Sequence, residues 1–85
     1  MILTINLSKR QPCLILKQGN KKIASHQWSG LYQLSETLIP EIDKFFKKGK
    51  IKLTDLKGIK VIPSKESMVS TRIAKAIALG LRTEL

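Results

Sequence analysis

Near Gly30 the apolar residues of this chain change their spacing from two to about 3.6, which restricts the fold to a small sheet with helices laid on it. Before that point Met1, Leu3, Ile5 and Leu7 alternate with Thr4 and Asn6, the period of a strand buried on one face. Residues 12 to 17 (PCLILK) form a second apolar run, and Gly19-Asn20 suits a two-residue hairpin turn. A third strand over roughly 22 to 28 should pair back, giving an antiparallel meander.

After the switch, Leu31, Leu34, Leu38, Ile42 and Phe45 recur on one helical stripe. Ser29 and Gly30 can cap its start, and Gly49 can end it. Lys44, Lys47 and Lys48 suit the negative end of the helix dipole, whereas Pro40 should kink the helix or remove one of its hydrogen bonds. A Lys-rich connection over 50 to 58 follows, in which Thr54 and Asp55 can cap a single turn. Ile59 to Ile62 reads as a fourth strand ended by Pro63, and a second helix runs from about Ser67 to Arg82. The order is βββαβα, an α/β arrangement in one domain over 1-85. The right-handed crossover rule places the fourth strand parallel to the first, so the sheet is mixed.

A chain of 85 residues has room for one core and no cleft between lobes. Its 16 Lys and Arg against 6 Asp and Glu give a net charge of +10, which makes polyanions plausible partners. The lone Cys13 cannot close an internal disulfide, so a reducing cytoplasm is the expected location. The opening MILTINL lacks the basic region of a signal peptide, and no apolar run reaches the ~18–20 residues of a membrane span, so no membrane role is expected.

The second helix is apolar around most of its circumference. Met68, Val69, Ile73, Ala74, Ala76, Ile77, Ala78, Leu79, Gly80 and Leu81 leave Thr71, Arg72, Lys75 and Arg82 as a narrow polar strip. One sheet face covers one side of such a helix, so a second cover is expected. Ala74 and Ala78, like Ala76 and Gly80, lie one turn apart and would let another helix approach closely. Tyr32, Ile39 and Phe46, seven apart on the first helix, form a second apolar seam. The expected partner interface is therefore Leu31, Tyr32, Ile39, Phe46, Met68, Ile73, Ala74, Ile77, Ala78 and Leu81, some of which must also serve the domain's own core.

Catalytic and metal-binding groups are sparse. His26, the single histidine, is in phase with Ala24 and Trp28 on a strand and reads as structural. No histidine is placed to activate Cys13, and no Cys/His cluster suits a metal. The acids are scattered, and Glu36 and Asp43 share neither a helical face nor an obvious mate. Neither a dinucleotide fingerprint nor a Walker lysine loop is present, so no catalytic, cofactor or metal residue is assigned. The serines of Pro63-Ser64-Lys65-Glu66-Ser67 fit helix capping better than an anion site. Lys44, Lys47, Lys48, Lys50, Lys52, Lys57 and Lys60 form the densest charge run and could follow an RNA backbone, although few aromatics are available to stack bases.

Four stretches resemble the N-terminal half of the TsaB (YeaZ) family. ILTINLS is similar to that family's first strand ILAIDTS, and SETLIPEID, with Pro40, to its helix SERLLPLID. LTDLKGIKV resembles LSDIDAIAV, and Arg72-Ile73-Ala74 with Ala76 to Leu81 is similar to LRIGLATAKGLALAL. Asn6 departs from the family's aspartate, and Lys65 to Ser70 stand where it has the glycine-rich GPGSFTG, which argues against a phosphate or nucleotide role.

The resemblance implies a single RNase H-like/actin-like subdomain acting as a non-catalytic scaffold in bacterial tRNA threonylcarbamoyladenosine synthesis. Its two helices would bind a TsaD-like catalytic subunit, or a second copy in a homodimer. The alternative is a small basic RNA/tRNA-binding module in which the lysine run contacts tRNA directly.

Overall fold

The computed structural model describes residues 1–30 and 33–82, the side chain of Leu53 excepted. Its elements run β1 (Ile2–Asn6), β2 (Cys13–Gln18), β3 (Lys21–Gln27), α1 (Leu34–Gly49), a short 3-10 turn (Leu53–Asp55), β4 (Gly58–Ile62) and α2 (Met68–Arg82). The sheet order is β3-β2-β1-β4, with β1 antiparallel to β2 and β2 to β3, while β4 lies parallel to β1. The expected βββαβα order and mixed sheet are therefore present.

The period-two residues form the floor of the core. Leu3, Ile5 and Leu7, Leu14 and Leu16, and Ile59 are all buried on the face that meets the helices. Gly19 adopts φ 63° at the β2–β3 turn, a conformation open to glycine at no steric cost. A bulge opposite Leu16 and Lys17 then shifts the β3 register, so that Leu16 faces Ala24 but Lys17 faces Lys22.

Leu34, Leu38, Ile42 and Phe45 of α1 close the core from above. Each such side chain removed from water stabilises the fold by roughly 1.5–3 kcal/mol before entropy is counted. The helix runs on through Pro40. Its start differs from the Ser29/Gly30 cap: α1 begins at Leu34, the flanking Gln33 makes no side-chain cap, and the Gln33 amide bonds to the Gly30 carbonyl at 3.0 Å. Leu31 falls outside the described residues.

The helix end differs too. Gly49 is still helical, and Lys50 takes the left-handed turn at φ 54°, with the Ile51 amide reaching back to the Phe46 carbonyl at 2.8 Å. A β-carbon on Gly49 would sit 2.8 Å from Ile51 Cδ1. A side chain at 49 would therefore have to displace the tip of Ile51, and the left-handed conformation falls one residue on, at Lys50.

The second helix is anchored through hydroxyls. Ser64 Oγ accepts from the Glu66 and Ser67 amides, both at 3.1 Å, and Ser67 Oγ accepts from the Ser70 amide at 3.1 Å. Thr71 Oγ1 accepts from the Ser64 amide at 2.9 Å and donates to the Ser67 carbonyl at 3.1 Å. The serines of this loop are helix caps, as the sequence suggests. Thr71 is a correction: expected on the polar strip, it is buried, because its hydroxyl ties the cap loop to the first turn.

Candidate interaction surface

The buried side of α2 is Ser70, Thr71, Ala74 and Ala78. Ala74 is 0% and Ala78 2% exposed, so these two members of the expected interface belong to the domain's own core. Their small size brings α2 down onto its own sheet and first helix, not onto a partner. Four large apolar residues on the helices face outward: Ile39 is 59% exposed, Met68 69%, Val69 67% and Leu79 64%. Val69 and Leu79 are additions to the expected set. Phe46, Ile73, Ile77 and Leu81 are half-buried and packed against the edge of the core. Tyr32, like Leu31, lies outside the described residues.

Spacing brings part of this set together, while Leu79 lies on the β4 side of α2, lining a hollow with Val61, Lys75 and Arg82. On α2, Val69, Ile73, Ala76 and Gly80 follow one another at intervals of four, three and four, a single stripe beside the buried one. Ile39 and Phe46, seven apart, lie together on α1, and the two helices touch. A β-carbon on Gly80 would meet nothing within 4 Å, so the surface is open there. Large apolar side chains at such exposure, grouped on adjoining helices, are the usual mark of a contact surface.

The lysine run does not occupy one place. All seven of its members are exposed. Lys48 lines a hollow of about 240 Å³ with Ala24, His26 and Phe45, whereas Lys57 and Lys60 line another, of about 450 Å³, with Arg82. Lys47 pairs with Asp43 at 2.9 Å, and Lys44 stands 3.9 Å from Glu41.

His26 is held as a structural residue. Its Nε2 donates to Glu41 Oε2 at 2.7 Å, and its ring stacks between those of Trp28 and Phe45, with centroids 5.8 and 6.1 Å away. Trp28 Nε1 donates to Thr37 Oγ1 at 3.2 Å, a second tie between the meander and α1. The sequence alone shows of Glu41 only its single-turn reach toward Lys44. Asn6 Oδ1 is engaged by its own loop, accepting from the Ser8 amide at 2.9 Å and the Ser8 hydroxyl at 2.6 Å. Among the described residues no group of three or more His, Cys, Asp or Glu side chains could hold a metal, and no helix is long and apolar enough to cross a membrane.

A mixed four-stranded sheet with order β3-β2-β1-β4 and two helices packed on it matches the topology of a subdomain of the RNase H-like/actin-like fold class. Within that class the chain superimposes on YeaZ from Pseudomonas aeruginosa with a TM-score of 0.79 at 18% identity, covering 98% of this chain and 38% of that one. A second structure, of an uncharacterized protein with similarity to peptidase YEAZ from Pseudomonas aeruginosa, matches with a TM-score of 0.78 at 18% identity and the same coverage. The likeness is one of fold, and the chain spans 38% of the length of those two structures. No family model matches the sequence, and no curated protein does.

Proposed function

We propose that this chain is a non-catalytic scaffold of the TsaB type, whose helices α1 and α2 dock on a TsaD-like catalytic subunit of tRNA threonylcarbamoyladenosine synthesis. The reading is supported by the shared YeaZ fold and by the stretches of sequence that resemble the family. The observation that carries it is the outward-facing apolar set Ile39, Met68, Val69 and Leu79, beside the half-buried Phe46, Ile73, Ile77 and Leu81. A contact of ~800 Å² per partner over this surface would fall in the standard class of specific complexes. In that arrangement the enzyme performs the transfer and this chain holds it in its working shape.

The test is co-elution with a TsaD-like subunit, read by light scattering. Wild-type protein is expected to form a heteromer, and the pair Ile39→Asp with Val69→Asp to lose it while keeping the wild-type circular dichroism and melting temperature. Assembly that survives the double substitution would overturn the interface. A homodimer lost in the same variant would make the partner a second copy.

Direct tRNA binding is the second reading, favoured by seven exposed lysines between 44 and 60. Filter binding of tRNA at two salt concentrations separates it from a pure scaffold, because phosphate contacts weaken steeply as salt rises.

A further inference from the structure

The sequence holds few rings, and the fold gathers three of them at the border of β3 and α1. Trp28, His26 and Phe45 pile in that order, with the His26 centroid 5.8 Å from Trp28 and 6.1 Å from Phe45. Helix α1 runs along β3 in the opposite sense: Thr37 meets Trp28, Glu41 meets His26, and Lys48 comes down beside Ala24. Where the pile ends, a hollow of about 240 Å³ opens between the two elements, lined by Ala24, Ser25, His26, Phe45, Lys48 and Gly49. Its walls are rings, a methyl group and main chain, with one cation.

The main chain adds polar groups at the rim. The Trp28 amide bonds to the Pro12 carbonyl at 3.2 Å, so Ala24 and His26, in phase with it, turn their main-chain groups toward β2, and Ser25 turns its amide and carbonyl outward. Ser25 thus presents one donor and one acceptor beside the hollow. Around it the charge is positive. Lys48 is part of the wall, Lys44 lies one turn away on the same side of α1, and Lys21 and Lys22 open β3 just before Ala24. Among the described residues no acid lines the hollow, and the Glu41 carboxylate next to it is engaged by His26 at 2.7 Å.

We infer that this hollow takes the base of an unpaired RNA nucleotide, with the neighbouring phosphates on Lys44, Lys48 and the lysines that open β3. The inference rests on the reading of direct RNA contact given above and assigns that contact a place. A single heterocycle is flat and apolar on its faces, so it lies against His26 and Phe45 and lengthens the pile by one ring. Its polar edge meets the Ser25 amide and carbonyl, and the backbone on either side meets ammonium groups. A base inside a duplex cannot enter, because its faces and its pairing edge are already occupied. The site therefore selects loops and single strands.

The probe is a short dye-labelled single-stranded RNA, titrated into the full chain by fluorescence anisotropy at two salt concentrations, beside the same backbone carrying abasic residues. The intact strand is expected to bind about tenfold more tightly than the abasic one, to change the emission of Trp28, the single tryptophan, and to shift the Ser25 amide. Ala24→Leu fills the hollow and leaves every lysine in place. It should remove the advantage of the intact strand while keeping the salt-dependent affinity that both strands share. Lys48→Glu should weaken both strands together. If Ala24→Leu does not fold, as read by circular dichroism, the abasic strand decides. Equal binding of the two strands by the parent chain, or an advantage untouched by a folded Ala24→Leu variant, overturns the hollow and leaves the reading of direct tRNA contact standing. Binding of neither strand overturns both.

Discussion

His26 Nε2 and Glu41 Oε2 lie 2.7 Å apart across the gap between β3 and α1, fifteen residues distant in the chain. The pair is the polar counterpart of the Trp28–Thr37 bond, and both fasten the edge of the meander to the first helix. Because Glu41 is largely shielded, with a side chain 17% exposed, the contact escapes most of the screening that weakens surface pairs. Glu41→Gln should cost about 1–2 kcal/mol, and amide exchange should quicken first in β3. Hydrogen-exchange mass spectrometry checks both the size and the place of the effect.

Substitutions at adjacent positions of α2 should behave in opposite ways. Ala78 is buried against the sheet, so Ala78→Leu overpacks the core and should cost about 1–3 kcal/mol. Leu79 is exposed, and Leu79→Asp should stay within about 0.5 kcal/mol of the parent. Urea midpoints for the two variants give the comparison directly. A charged residue at Ala78 therefore cannot serve as an interface probe, because the fold would fail first.

Lys50 supplies a test of backbone strain. A residue with a β-carbon at φ 54° costs roughly 1–2 kcal/mol relative to glycine, part of which returns as extra freedom of glycine in the unfolded chain. Lys50→Gly should raise stability by about 1 kcal/mol, measurable as an upward shift of the thermal midpoint.

The caps of α2 can be removed singly. Ser67→Ala removes the hydroxyl that accepts from the Ser70 amide at 3.1 Å and should cost about 0.5–2 kcal/mol. Ser67→Asp keeps an acceptor at the helix start and should restore most of the loss. Denaturant titration of the three proteins separates capping from side-chain size.

The sheet and α1 were legible because each has one apolar face. Leu3, Ile5 and Leu7 alternate with polar or exposed neighbours, and Leu34, Leu38, Ile42 and Phe45 return every three or four residues, so period and phase are both visible. The second helix was legible as a helix but not in its rotation. Apolar residues surround it, and two of the four positions it buries are the hydroxyl residues Ser70 and Thr71, so hydrophobicity alone carries no phase. Tertiary fit chose Ala74 and Ala78 for the inside and left Val69 and Leu79 outside. The partnership of His26 with Glu41 was hidden for a similar reason. It depends on where the crossover lays α1 over β3, which local pattern does not encode.

The burial of Ala74 and Ala78 has a consequence for how such a surface can change. Two methyl groups act as a shim that sets the height of the second helix above the sheet, so that height does not depend on the residues outside. The exterior stripe can then be rewritten residue by residue, toward tighter attachment or toward none, while the seat beneath keeps its dimensions. In the scaffold reading proposed above, companion choice and foldedness then fall to opposite sides of one rod.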